Sequence, residues 1–249
     1  MAKKTMSGHS HWAGIKHKKG LADAQRSANF SKLAREVSIA AKTGDNPDTN
    51  AKLKAAIDRA HELNMPRENI ERAILKGAGK LPGVMLEEFS IEAYGPGGIA
   101  IIAEGITDNK NRALSEARIV MNKNNGKLVN EGAIRWMFEH KGYMIVDPKS
   151  QTPEHQSKDD LEMETIESGA ENTSWTDDDI LEVYTKAEEL DQVKKALESK
   201  GIKPEESSLG WFAKEEVEAD EKTQNSNQKL LEDLEANDDI TQAFSNLKF

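Results

Sequence analysis

The stretch Phe89-Ser90-Ile91-Glu92-Ala93-Tyr94-Gly95-Pro96-Gly97-Gly98-Ile99-Ala100-Ile101-Ile102-Ala103-Glu104-Gly105-Ile106 is where the chain changes its period. Residues 89–94 alternate apolar and polar, as a half-buried strand does. Gly95 to Gly98 supply turn conformations. Residues 99–106 make a second, more apolar strand, so the pair is expected to form a hairpin. The glycines do not frame a phosphate loop, because there is no GK[ST], no GxGxxG and no strand–loop–helix context.

Upstream of this point the period is helical. Residues 23–43 carry Phe30, Leu33, Ala34, Val37 and Ala41 at three- and four-residue spacing, and Gly44 is a natural stop. Arg26, Lys32, Arg35 and Lys42 fall off that stripe. A second helix is expected after an N-cap at Asp48 or Thr49, with Leu53, Ile57, Ala60 and Leu63 inward. Pro66 suits the first turn of a third, whose apolar side is Ile70, Ala73 and Ile74 and whose basic residues are Arg67, Arg72, Lys76 and Lys80. Three short helices sharing one core predict a small bundle. Residues 77–83, GAGKLPG, read as a linker.

Downstream, Thr107-Asp108-Asn109 is expected to cap a helix to about Asn124, with Leu114, Ala117, Val120 and Met121 inward. Residues 133–138, carrying Trp136, and 143–146 read as strands, and 147–158 as a polar loop. An acidic helix (159–168), a strand (180–184) and a helix with Val193 and Leu197 closed by Gly201 follow. Then come a strand (209–213), a helix (228–236) and a closing strand (240–244). Asp177 to Asp179 and residues 215–221 read as solvated loops. Strands alternating with helices of one apolar face imply an α+β fold of one or two small open-faced sandwiches.

Composition narrows the function. The chain has 249 residues, 37% hydrophobic and 31% charged, enough for two or three compact units. It has no cysteine, so disulfides and thiolate metal sites are excluded. No apolar run approaches a membrane span, and the N-terminus has no apolar signal region. Residues 1–20 contain no Arg, which is a poor match to a transit peptide. A cytoplasmic protein without cofactor is expected. No serine sits in a nucleophile elbow, and no carboxylate sits in an apolar setting that would mark a raised pKa, so no enzyme is expected.

Charge is unevenly placed. Residues 1–80 hold 16 Lys and Arg against 8 Asp and Glu, a net of +8, whereas 81–249 hold 18 against 36, a net of -18. The first twenty residues contain Lys3, Lys4, Lys16, Lys18 and Lys19 and no acid, with His9, His11, His17 and Trp12 among them. They lack a sustained period, and a basic tail of this kind gains affinity by displacing counterions from phosphates. Trp12 and the histidines suit stacking on unpaired bases; the alternative is that Trp12 pins the tail to the body. His9-x-His11 lacks a third ligand nearby, so no metal site is expected.

The run Gly8-His9-Ser10-His11-Trp12-Ala13-Gly14-Ile15-Lys16-His17-Lys18-Lys19 resembles the opening of the YebC/PmpR family, which includes mitochondrial translational activators of cytochrome oxidase subunit I. The resemblance continues through Phe30 to Glu36, Asn64-Met65-Pro66, Asn69 to Ala73, Tyr94 to Gly98, and Thr107-Asp108-Asn109-Lys110-Asn111-Arg112. Met1–Thr5 precede the family's usual start, so Met6 is a candidate first residue. Val129 and Ala133 depart from the small-residue pattern usual near 126–134.

The resemblance implies a three-helix bundle followed by two small ferredoxin-like α+β sandwich domains, one inserted in the other. The implied boundaries are a basic tail (1–20), the bundle (21–80), a split domain (81–138 and 215–249) and an inserted domain (139–214). The order of elements alone leaves nested and sequential domains equally open. It further implies a DNA-binding transcriptional regulator or, alternatively, a ribosome-associated factor that binds rRNA and aids translation of difficult sequences such as polyproline. A third reading is an interaction module whose acidic body takes a basic protein. The residues expected to meet nucleic acid are His9, Trp12, Lys16, His17, Lys18, Lys19, Arg26, Lys32 and Arg35. Asn109, Asn111 and Arg112 match a polar family motif, whose role is either binding or capping.

Overall fold

The computed structural model describes residues 23–152, 157–176 and 178–248, with side chains described for all of these except 23–29 and 62. The His9–Lys19 signature therefore lies outside the described residues. Two compact units emerge, one holding 132–224 with the C-terminal residues from 244, the other holding the bundle with residues to 131 and 225–243.

In the second unit three helices, α1 (Asp23–Ala41), α2 (Ala51–Glu62) and α3 (Arg67–Gly77), share one core. Leu33, Val37 and Ala41 of α1 bury against Leu53 and Ala60 of α2 and Ile70 and Ala73 of α3. Each such leucine, valine or isoleucine contributes about 1.5–3 kcal/mol when removed from water. Leu63, expected inward, is 47% exposed, because the helix has already ended beneath it. The N-cap of α2 is Asn50 rather than Asp48 or Thr49. Its side-chain oxygen accepts from Leu53 N at 3.1 Å, while its amide donates to Ala40 O and Gly44 O, so one buried side chain joins two helix ends.

α1 and α3 approach closely at Gly77. A Cβ there would lie 2.1 Å from Ser38 O, so only glycine permits this crossing. Beside it Ser38 Oγ donates to Ala73 O at 2.9 Å.

The same unit contains a four-stranded sheet in the order β3-β1-β2-β8, with β1 (Glu87–Tyr94), β2 (Ala100–Thr107), β3 (Lys127–Val129) and β8 (Ile240–Ser245). The expected hairpin forms, pairing Ala93 with Ile101 and Phe89 with Gly105. Gly97 and Gly98 adopt φ of 74° and 78° in its turn. β2 is buried on both faces except at the half-buried Glu104, which accounts for its mostly apolar sequence. α4 (Lys110–Lys123) turns Ala113, Ala117 and Met121 inward, while Leu114 and Val120 are only half-buried.

The other unit contains the sheet β5-β6-β4-β7, all antiparallel, from β4 (Phe138–Val146), β5 (Asn172–Trp175), β6 (Leu181–Lys186) and β7 (Glu206–Ala213). Met144, Val146, Leu181 and Val183 pack with Leu161 of α5 (Lys158–Glu167) and with Leu190, Val193 and Leu197 of α6 (Leu190–Ser199). Residues 135–137 form a 3-10 turn instead of the expected strand, and Trp136 is 68% exposed with Nε1 donating to Ala133 O. The segment 215–220 is not merely solvated. Val217 bridges Leu247, and Asp220 Oδ1 accepts from Thr223 N at the start of α7 (Glu221–Glu235). That helix begins two turns earlier than its apolar residues announce. The fold is α+β, with a bundle and two four-stranded sheets, as the sequence implies.

Candidate nucleic-acid interface

α1 and α3 cross at Gly77, and a cleft of about 490 Å³ lies against this crossing, lined also by Gly83, Val84 and Leu86. The floor is apolar, with Phe30 half-buried and Met65 and Ala73 buried. The rim carries Arg35, Lys42, Arg72 and Lys76, and no Asp or Glu occurs among the described residues lining it. Helical spacing sets this pattern, since Arg72 and Lys76 are four residues apart and share one face of α3.

The rim cations differ in what they hold. Arg35 Nη1 donates to Asp239 Oδ1 at 2.5 Å and to Asp238 O at 2.7 Å, so its charge is met at the corner before β8. Lys42 Nζ donates to Leu86 O, a carbonyl that leaves its charge uncompensated. Arg72 and Lys76 are exposed and hold no ion pair among the described residues.

Of the expected contact residues, the six from His9 to Lys19 lie outside the described residues, and Arg26 stands on α1 with its side chain undescribed. Lys32 and Arg35 stand one turn apart on α1. Lys32 Nζ donates to Glu235 O. Burial holds the Lys32 ammonium below its ordinary pKa, against the pull of Glu235, Asp238 and Glu36. Asn109 is the N-cap of α4, its side chain accepting from Arg112 N at 3.1 Å. Asn111 is exposed on the first turn, where its carbonyl accepts from Ser115 Oγ. Arg112 donates to Asp108 and Asp239, each at 2.8 Å.

Two buried carboxylates escape a reading of the sequence. Asp239, 2% exposed, accepts from Thr107 Oγ1 at 3.1 Å as well as from the two arginines. Burial pushes its pKa up, but the hydrogen bonds from Arg112 and Thr107 and the arginine charges outweigh that and hold it below 3.8. Glu182, 1% exposed, contradicts the expectation that no carboxylate has an apolar setting. Strand alternation puts it on the face of Tyr184, and register puts Tyr143 opposite Tyr184. Tyr143 and Tyr184 donate to its two oxygens at 3.0 and 2.9 Å, with Phe212 edge-on to Tyr184. Burial raises its pKa above 4.5, against the two phenol hydrogen bonds. No group of three or more His, Asp or Glu suited to a metal occurs among the described residues. None of their helices is long and apolar enough to cross a membrane.

Comparison with known proteins decides the family. Residues 10–80 match the model of the TACO1/YebC N-terminal domain, and 86–247 match that of the TACO1/YebC second and third domains. The chain belongs to the TACO1/YebC family. A TACO1/YebC relative in Dictyoglomus turgidum is 44% identical over 97% of this chain and 95% of its own length. One in Desulfosudis oleivorans is 43% identical over 97% and 96%. Both are named "Probable transcriptional regulatory protein". The crystal structure of a conserved hypothetical protein from Aquifex aeolicus superposes with a TM-score of 0.87 at 43% identity, covering 96% of both chains.

Proposed function

We propose that this TACO1/YebC chain is a non-enzymatic, nucleic-acid-binding regulator of gene expression, with DNA as its target. The observation that carries this reading is the cationic rim of the α1–α3 cleft, where Lys42, Arg72 and Lys76 have no carboxylate partner among the described residues. Relatives named as transcriptional regulators support it. Clustered cations on an otherwise acidic protein give a local attraction for phosphate that the net charge of -10 conceals. In this reading His9, Trp12, Lys16, His17, Lys18, Lys19 and Arg26 add contacts from the basic N-terminal segment. Lys32 and Arg35 anchor the helix that carries the cleft, Arg112 shares Asp239 with Arg35, Asn109 caps the helix that carries Arg112, and Asn111 is exposed beside it. Phosphate contacts of this kind position a protein without reading sequence, so specificity is modest.

The test is a shift assay across salt with duplex and single-stranded DNA. Binding that falls steeply with salt supports the reading, and no binding of either form at low salt rejects it. The second reading, a ribosome-associated factor, draws on the apolar floor between the cations, which suits unpaired bases of RNA. Cosedimentation with ribosomes that is lost on deleting residues 1–20 would select it.

A further inference from the structure

The α1–α3 cleft combines two properties that a duplex cannot use together. Its rim is cationic, but its floor is hydrophobic, and Val84, 68% exposed, lines it between Gly83 and Leu86. In a duplex the base faces are stacked on one another, and only phosphates and groove edges meet a protein. An unpaired base has a free π-face to lay on apolar or aromatic side chains. The volume of about 490 Å³ lies in the range that encloses a small organic group rather than a helix of nucleic acid.

We infer that this cleft seats one unpaired nucleotide of a single-stranded polynucleotide, its base against Phe30, Met65 and Val84 and its flanking phosphates on Arg72, Lys76 and Lys42. The assignment rests on the nucleic-acid reading above and names the form of polymer that this site takes, whether an RNA or an opened DNA strand. Charge selects the occupant. A basic or neutral segment would meet three like or unmatched charges, whereas a phosphodiester supplies one anion per nucleotide. An acidic amphipathic helix would instead need apolar anchors along two turns. Here the apolar surface is a single patch bounded by cations. The walls are preformed, since the Gly77 crossing and the Ser38–Ala73 bond fix α1 against α3.

The experiment uses the full chain with fluorescent oligonucleotides of about 12 nucleotides, inside the site sizes of single-strand binders. Three arms are needed: single-stranded DNA, single-stranded RNA and the matching duplex. One base in each single strand is replaced by 2-aminopurine. The wild type is expected to bind a single strand about tenfold more tightly than the duplex, in keeping with base stacking worth roughly 5- to 150-fold per base, and to change the 2-aminopurine emission. Arg72→Ala with Lys76→Ala should lower the slope of log K against log salt by about 1.4, two single-strand phosphates' worth. Val84→Asp, at an exposed position, should abolish the emission change while circular dichroism stays that of the wild type.

Failure of the wild type to bind any arm at low salt would overturn the functional reading itself. If the wild type binds but the double variant keeps its salt slope, the cleft assignment alone is overturned. Duplex binding equal to single-strand binding with no emission change overturns it too. So does displacement by polyglutamate as effective as by unlabelled oligonucleotide at equal charge, which would make the site one for acidic peptide. Comparison of the DNA and RNA arms identifies the sugar.

Discussion

Arg112 on α4 and Asp239 just before β8 are 127 residues apart and meet at 2.8 Å, with Arg35 of α1 on the other oxygen of the same carboxylate. Three elements from distant parts of the chain thus converge on one buried acid. Asp239→Ala would leave the largely buried Arg35 guanidinium without its counter-charge, at an expected cost of about 2–4 kcal/mol in urea unfolding. Arg112→Ala should cost less, because that guanidinium is 44% exposed and water replaces its partner.

Asp239 and Glu182 should respond to pH with opposite sign. Asp239 is held below 3.8 in the folded chain, so its contribution is present above that pH and is lost as pH falls through the lower folded value. The stability gap between wild type and Asp239→Asn should therefore close in acid. Glu182 is held above 4.5, so the folded chain binds its proton more tightly and loses stability as pH rises from 4.5 through the folded value. Glu182→Gln should remove that loss and be at least as stable as wild type at pH 8. Glu182→Leu should cost about 2 kcal/mol or more, since two buried phenol hydroxyls lose their acceptor. Urea titrations from acid to pH 8 measure all three.

Gly77→Ala places a methyl 2.1 Å from Ser38 O and forces α1 from α3. A loss of about 2 kcal/mol is expected from overpacking. Weaker nucleic-acid binding should accompany it, because the same crossing sets the cleft. Thermal unfolding and a binding titration on the folded variant report the two effects.

Asn50→Ala removes an N-cap together with the amide that ties Ala40 O and Gly44 O. The expected loss is about 1–2 kcal/mol, at the upper end for caps because the side chain is buried. Asp48→Ala, by contrast, should be nearly silent, since Asp48 is exposed and caps nothing. Chemical denaturation of the pair checks this directly.

Elements with a strong apolar period were legible in the chain. Leu33, Val37 and Ala41 at helical spacing, and the hairpin around Gly95 to Gly98, needed no partner to be recognised. Elements whose burial is one-sided or weak were not. β5 is Asn172–Trp175, polar and half-buried throughout, and forms only because β6 offers its edge. The first two turns of α7 carry almost no apolar residue, so their helix rests on the Asp220 cap and on Asn227 donating to Pro96 O. Trp136 invited a strand by β-propensity, yet its segment turns and leaves the ring in solvent.

The candidate site divides the same way. The sequence by itself determined that positive charge gathers in residues 1–80, that Arg72 and Lys76 share a helix face, and that the chain builds a bundle and a hairpin, because these depend on composition and on local period alone. Only the tertiary structure decided that Gly77 brings α1 onto α3 to open an apolar floor between those cations. It likewise decided that Arg35 is spoken for by Asp239, and that Glu182 lies between two tyrosines. Each of these pairings joins residues whose separation along the chain is erased by packing, and whether a charge ends up solvated, paired or buried is a property of that packing.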